Sequence, residues 1–218
     1  MASRIKLIAC GALKHEIEAV GPKDIDVVYL DQGLHRVAER LRQELQKEID
    51  RSTNYNCLLL GYGQCSNGTV GLVARDAVLV IPRVDDCISL FMGSRDLYRE
   101  EFKKAPGTYY LSKGWIDAAT DPLKEYYSYK EKYGEETAAW VMKEQLKNYS
   151  RVVLIHTDGD PGEKYRRHAR EFARFFDLNY EEMVGSLKML CQLLNGQWSH
   201  GFLTIQPGET IQEEFFWD

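Results

Sequence analysis

The chain has 218 residues, of which 44% are hydrophobic and 28% are charged, a composition typical of globular proteins. Its formal net charge of −5 argues against a nucleic-acid backbone or an anionic membrane as the main partner, because both need a basic surface. No stretch approaches the ~18 uninterrupted apolar residues of a membrane span, and the first apolar run is too short for a signal peptide. These features predict a cytoplasmic protein.

The chain contains five cysteines. An odd number in a reducing compartment is poor evidence for a disulfide framework, so each cysteine is read as a buried apolar residue, a nucleophile or a metal ligand. Cys57 lies inside an apolar run and Cys191 lies on an apolar helical face, so both are predicted to belong to the core. The positions of the other three decide how they are interpreted.

The first half of the chain alternates predicted strands and helices. Apolar runs rich in β-branched residues predict strands at 5–9, 26–30, 56–61 and 77–81. Helical spacing of apolar residues predicts a short helix at 12–20 and an amphipathic helix from about 34 to 50. Asp86 can cap a further helix from about 87 to 104. This alternation predicts a mainly parallel sheet with right-handed crossovers.

The second half begins with a tyrosine-rich segment and then returns to the same alternation. Residues 107–111 could form a strand, and Pro122 opens a long helical segment with a break near Gly134. Further elements are predicted as a strand at 151–155, a helix at 163–175, a strand at 179–184, a helix at 185–194 and a closing strand or hairpin at 201–210. We therefore predict a single Rossmann-like α/β domain over 1–218 with helices on both faces of the sheet. It could also divide into two similar lobes, 1–105 and 150–218, joined by the helical segment.

Four residues with metal-binding side chains each follow one predicted strand: Cys10, His35, Cys65 and Cys87. In a parallel sheet all four would emerge at the same carboxyl edge, where they could converge. Three thiols and one imidazole, or any three of these four ligands with an open position, form a soft ligand set suited to zinc or another thiophilic metal. Ligands supplied by four separate strand ends differ from the close CxxC pairs of a zinc finger. They are typical of a catalytic metal or a bound cluster on a stable scaffold.

Charged residues near the same edge are candidates for catalysis. Arg83 and Asp86 precede Cys87 and could bind substrate or orient the imidazole. His156 follows the strand at 151–155, in the turn HTDGDPG, and could face the first cluster across a cleft. The same turn contains Asp158, but Asp-Gly and Pro-Gly are also ordinary turn formers.

The four predicted ligands could also have purely structural roles. Free cysteine is among the most buried residue types, so Cys10 and Cys87 could be plain core residues. Packing explains Cys65 less well, because it lies in a polar glycine-rich turn, GYGQCSNG. The glycines of this turn could instead cradle a phosphate, but the turn matches neither the phosphate loop nor the dinucleotide fingerprint. His35 could be an ordinary residue in the first turn of a helix.

Several segments, in order along the chain, are similar to the domain-of-unknown-function 1638 family: IACGALKHEI, LHRVAERLRQELQ, GYGQCSNGTVGL, LVIPRVDDCISLFMGSR and PGTYYLSKGWID. The resemblance covers most of the chain. Members of this family are often encoded beside corrinoid-dependent methyltransferase components, so the resemblance implies one-carbon transfer chemistry. Its motif positions in this chain are the same four residues: Cys10, His35, Cys65 and Cys87.

Three functional hypotheses follow. The first is a zinc-dependent enzyme, or an accessory protein of methyl transfer, that acts on a small one-carbon or sulfur-linked substrate, with a corrinoid protein or methyltransferase as partner. The second uses the same cysteines for an iron–sulfur cluster or another redox cofactor. The third is a non-catalytic module that binds a corrinoid or a partner protein. None of the three involves nucleic acid or a membrane.

Overall fold

The structure, a computed structural model, describes residues 4–118, 121–157 and 159–217, so Asp158 of the HTDGDPG turn lies outside the described residues. It is an α/β fold of the predicted Rossmann-like class, in which two largely parallel sheets are flanked by helices. Within these residues, no helix has both the length and the apolar character needed to cross a membrane.

The predicted strands are all present, with small shifts in their ends. The strands are β1 (Ile5–Cys10), β2 (Ile25–Leu30), β3 (Cys57–Gly61), β4 (Val78–Pro82), β5 (Thr108–Leu111), β6 (Arg151–His156), β7 (Asn179–Val184) and β8 (Phe202–Ile205). The helices are α1 (Lys14–Val20), α2 (Ala38–Arg51), α3 (Cys87–Met92), α4 (Arg95–Lys104), α5 (Lys113–Ala118), α6 (Pro122–Tyr133), α7 (Glu135–Leu146), α8 (Glu163–Phe176) and α9 (Lys188–Leu194). Short 3₁₀ segments precede α1 and α2.

The first sheet has the strand order β2-β1-β3-β4-β8, with β1 to β4 parallel and β8 antiparallel to β4. β2 pairs with one side of β1 and β3 pairs with the other side. The direction in which successive strands are added to the sheet therefore reverses between β1 and β3. Open α/β sheets bind ligands outside the carboxyl ends of the strands at such a reversal. This places the expected site beside Cys10, at the end of β1, and beside the turn that follows β3.

The second sheet has the order β5-β6-β7 and is parallel throughout. Its middle strand is the apolar run at 151–156, which is buried on both faces because helices and the first half of the chain cover it. The chain then returns to the first sheet, where β8 pairs with β4. The strands of the alternative lobe 150–218 are therefore divided between the two sheets: β6 and β7 lie in the second sheet, and β8 lies in the first.

The helix predicted from about 87 to 104 is two helices, so this prediction is wrong in its extent. Gly93 ends α3 in the left-handed region, with φ of 69°, and the Ser94 side chain caps α4 by accepting from the Leu97 N–H at 3.2 Å. A β-carbon at Gly93 would lie 2.6 Å from Cβ of Ser186, so the break lets the segment after β7 approach closely. The helix α5 was not predicted, because its six residues are too few to show a helical period.

The two sheets share one core. Val153 and Ile155 of β6 belong to the same buried cluster as the side chains of the first sheet. The backbones also meet directly, since the Ser186 N–H donates to the Phe91 carbonyl at 3.0 Å. Helix α5 lies against the turn that follows Cys10. The carboxyl edge of the first sheet is therefore covered by the second half of the chain.

Candidate functional site

A cavity of about 980 Å³ lies at the carboxyl edge of the first sheet. One wall consists of residues that follow β1 to β4, and the other is formed by α4, β5, α5 and the end of α7. All four predicted ligand residues line it: Cys10, His35, Cys65 and Cys87. The structure thus brings together, in one cavity, side chains that follow four different strands and are far apart in the sequence.

Of the three cavity thiols, Cys10 is buried and Cys65 and Cys87 are half-buried, and the described cysteines are all free. Burial raises the pKa of Cys10 to about 11, with a smaller contribution from the charge of Asp31. Burial also raises the pKa of Cys65 to about 12, and the nearby Asp86 carboxylate adds to this, whereas backbone groups of Gly63 and Cys87 act in the opposite direction. The pKa of Cys87 is raised well above its ordinary value, first by burial and then by Cys10 in its thiolate form, the Asp86 carboxylate and Cys65 in its thiolate form. At neutral pH these thiols are protonated.

This electrostatic environment predicts slow thiol chemistry. At pH 8, reaction of Cys10 and Cys65 with iodoacetamide should be at least about tenfold slower than that of N-acetylcysteine, because the thiolate fraction falls about tenfold for each unit by which the pKa exceeds the pH. Greater intrinsic nucleophilicity offsets part of this loss. Peptide mass spectrometry over time measures both rates in metal-free protein. The rate should still rise between pH 8 and 10; a plateau below pH 9 would contradict the raised pKa values.

The turn that contains Cys65 has a strained backbone. Three successive residues other than glycine are in the left-handed region: Cys65 at φ 51°, Ser66 at 53° and Asn67 at 67°. This conformation costs roughly 1–2 kcal/mol per residue, so it persists only where other contacts impose it. Such strain is concentrated at functional sites, and here it determines where the Cys65 side chain lies.

Backbone hydrogen bonds to the neighbouring loop hold this turn in place. The N–H groups of Gln64 and Cys65 donate to the carbonyls of Val84 and Asp85, at 2.8 and 2.9 Å. Gly63 allows this approach, because a β-carbon there would lie 2.7 Å from the Val84 carbonyl oxygen. The loops after β3 and β4 are thus joined, and they carry Cys65 and Cys87 into the same part of the cavity.

Tyr62 places a phenol hydroxyl beside the three thiols. The residue is 2% exposed and lines the cavity, and its hydroxyl is buried without a hydrogen-bond partner among the described residues. Burial raises its pKa well above the ordinary value, and Cys10, Cys65 and Cys87 add to this when they are thiolates. A buried polar group without a partner is costly, so this hydroxyl points to a ligand that would satisfy it.

Replacing Tyr62 by phenylalanine should stabilise the metal-free protein by about 1 kcal/mol, because the change removes a buried polar atom that has no partner. Urea unfolding of protein treated with a chelator measures this effect. Tyr126→Phe is the matched control: Tyr126 is also buried, at 5% exposed, but its hydroxyl donates to Glu135 at 3.3 Å. That control should lose stability slightly. A loss of stability in Tyr62→Phe would show that the hydroxyl has a partner.

His35 has the hydrogen-bond pattern of a metal-binding histidine. Its Nδ1 is paired with the carbonyl of Gln32, and its ring lies 5.1 Å, between ring centres, from the indole of Trp115. Because a carbonyl can only accept, Nδ1 carries the proton, and in the neutral ring Nε2 has the free lone pair. Ligating histidines show this arrangement, in which a backbone carbonyl fixes the tautomer.

Of the three candidate catalytic residues, Asp86 lines the cavity. Its carboxylate caps α3 by accepting from the Ile88 N–H at 2.9 Å, and it also accepts from the Tyr98 hydroxyl at 3.0 Å. Burial raises its pKa above the ordinary value. Arg83 donates to the Phe215 carbonyl at 2.8 Å, and Nε2 of His156 lies 4.0 Å from Glu182. Arg83 and His156 are not part of the lining, and their catalytic roles stay predictions.

The thiols share a cavity but are not preformed as a coordination sphere. Within residues 4–118, 121–157 and 159–217, no three His, Cys, Asp or Glu side chains are arranged so that they could hold a metal ion. The residues that sequence reasoning missed are aromatic: Tyr62 among the thiols, and Tyr98 and Tyr149 on the opposite wall. Only Tyr62 has a local signal, since it lies between two glycines directly after a buried strand.

The fold and cavity define an α/β protein with a thiol-lined site at the carboxyl edge of a parallel sheet. A family model described as "Protein of unknown function (DUF1638)" matches residues 29–194, and the chain belongs to this family. The matched range includes His35, Cys65 and Cys87 and excludes Cys10. No curated protein and no solved structure matches the chain.

Proposed function

We propose that the protein is a zinc-dependent enzyme, or an accessory protein, of one-carbon or sulfur-linked methyl transfer. The zinc ligands would be Cys10, Cys65 and Cys87, with His35 as the fourth candidate. The observation that supports this most directly is the convergence of three thiols from three separate strand ends on one cavity, beside the unpaired hydroxyl of Tyr62. Ordinary core packing does not require a strained polar turn to carry one of them.

The chemistry of the donor set fits zinc. Three thiolates with one nitrogen, or with one exchangeable position, are a common zinc environment, and thiolates select soft metals over magnesium or calcium. The raised pKa values of the thiols lower the apparent zinc affinity at neutral pH, because the ion must displace the thiol protons, but a bound cation favours the thiolate form once it is in place. Since the thiols are neutral without the ion, nothing draws the three sulfurs together, and binding would require the side chains to turn toward the metal.

Bound zinc would supply Lewis acidity, which keeps a sulfur substrate as its thiolate at neutral pH. The chain itself contributes a cavity of about 980 Å³, which is large enough for a small substrate and partly closed to water. Asp86 holds the Tyr98 hydroxyl at 3.0 Å and orients it at the cavity wall. The corrinoid-associated gene neighbourhood implied by the family resemblance supports methyl transfer and a corrinoid protein or methyltransferase as partner.

Metal analysis of protein purified without a histidine tag tests the proposal. We expect about one zinc per chain. The bound zinc should protect the cavity thiols from a thiol reagent, and removal of the zinc by a chelator should end this protection. Iron together with acid-labile sulfide would instead favour the iron–sulfur hypothesis. Protein that contains no metal and takes up no added zinc would overturn the proposal.

A further inference from the structure

The cavity wall opposite the thiols is aromatic. Six aromatic side chains from α4, β5, α5 and the segment after α7 line it: Tyr98, Phe102, Tyr109, Tyr110, Trp115 and Tyr149. The rings of Tyr109 and Tyr149 meet edge to face, with their centres 5.5 Å apart. Tyr149 lines the cavity and is 37% exposed, so part of this side chain is accessible to solvent. An aromatic surface of this extent, open to a cavity, can bind a ligand without further apolar packing.

The charges that line the cavity favour a positively charged ligand. Two carboxylates, those of Asp31 and Asp86, face it. Among the described lining residues, Arg36 is the one lysine or arginine, and its guanidinium is paired with Glu125 of α6. An anionic ligand such as a phosphate would therefore meet two carboxylates and a guanidinium that is already neutralised. A cation gains from both carboxylates and from the electron-rich ring faces.

We propose that this cavity binds a small organic cation whose charge is covered by alkyl groups, a quaternary ammonium or a tertiary sulfonium. Aromatic walls attract such ions through their ring quadrupoles, and alkyl groups remove the need for a hydrogen-bond acceptor at every position around the charge. A primary ammonium would need those acceptors. As the substrate class of the proposed enzyme, this assignment rests on the proposed function, whereas the binding itself does not require the metal.

The test compares choline with 3,3-dimethylbutan-1-ol, its neutral isostere, in which carbon replaces the charged nitrogen. Ligand-observed NMR titrations suit both compounds, because each gives one strong methyl signal. At fixed ionic strength, choline should bind at least about tenfold more tightly than the neutral alcohol. Equal affinities, or no measurable binding of choline, would overturn the inference, and tighter binding of the alcohol would show that the cavity selects neutral apolar ligands.

Variants of Tyr149 locate the binding in this cavity. Tyr149→Leu should weaken choline binding about threefold to tenfold, because it removes the ring, whereas Tyr149→Phe should retain binding. Tyr133→Leu is the control, since Tyr133 is 64% exposed on α6 and is not part of the cavity lining. An equal loss in Tyr133→Leu would place the binding elsewhere.

Zinc content is measured on the same samples. Choline selectivity without zinc contradicts only the metal site, and zinc without choline selectivity contradicts only this inference.

Discussion

Replacing Cys65 by serine is expected to lower the affinity of the protein for zinc by more than about 100-fold. Changes to residues that merely support a ligand cost 10–100-fold, so loss of a direct thiolate ligand should exceed this range. A serine hydroxyl stays protonated at neutral pH and cannot replace the thiolate. The measurement is competition for zinc with a chromophoric chelator at constant pH. Cys10→Ser and Cys87→Ser should show losses of the same order.

Cys191→Ser is the matched control for these variants. Cys191 is also a free, half-buried cysteine, but it lies on α9 and is not part of the cavity lining. Its replacement should leave zinc affinity unchanged. If all four variants bind zinc as the natural protein does, the cavity thiols are not ligands. His35→Gln then decides the fourth position: a loss comparable to that of the cysteine variants makes His35 a ligand, and unchanged affinity leaves the position to substrate or water.

The placement of the candidate ligands could be predicted because each one follows a strand. Apolar runs fix where β1 to β4 end, and parallel pairing brings those ends to one edge of the sheet. The order of the strands could not be predicted, since pairing between β1 and β3 depends on contacts distant in sequence. This order puts Cys10 next to the turn of Cys65, at the reversal point of the sheet.

The sequence assigns Tyr109, Tyr110 and Trp115 to packing or to a cleft wall, but for a different reason it could not predict that they lie across the cavity from the thiols. β5 is an edge strand that pairs with β6, in a sheet that begins after the first four strands are complete. Its distance from Cys10 and Cys65 depends on how the second sheet packs on the first, and no local pattern in residues 107–115 encodes that. The break at Gly93 was also missed, because apolar residues continue at helical spacing across it on both sides.

The site combines two features that each reduce the stability of the ligand-free protein. The left-handed backbone at Cys65, Ser66 and Asn67 is strained, and the buried hydroxyl of Tyr62 has no partner among the described residues. Some other buried polar side chains are satisfied, such as Asp121 by the Lys124 N–H at 3.0 Å and by His168 at 2.7 Å. The Ser89 hydroxyl, outside the cavity, also has no partner among the described residues, so it is the combination with backbone strain that distinguishes Tyr62. A strained backbone and an unpaired buried polar group that occur together are expected at functional positions. Their coincidence favours a ligand at the thiol end of the cavity over a structural role for the cysteines.

The cavity also depends on one glycine between its two walls. Gly114 lies in α5, where a β-carbon would be 2.0 Å from the Ala12 carbonyl oxygen and 2.8 Å from the carbonyl carbon. Both atoms belong to backbone, so neither can move aside as a flexible side chain would. Ala12 follows Cys10, and Trp115 follows Gly114, so this contact sets the separation of the thiol wall from the aromatic wall.

Gly114→Ala is therefore expected to destabilise the protein by about 3 kcal/mol, at the upper end of the range for overpacking. Helix propensity alone predicts the opposite sign, because alanine in a helix is favoured over glycine by about 1 kcal/mol. Gly201→Ala is the control, since a β-carbon there meets open space. Urea unfolding of both variants measures the difference. If Gly114→Ala is as stable as Gly201→Ala, then α5 does not pack on the turn after Cys10, and the cavity cannot have the walls that the thiol and cation sites both require.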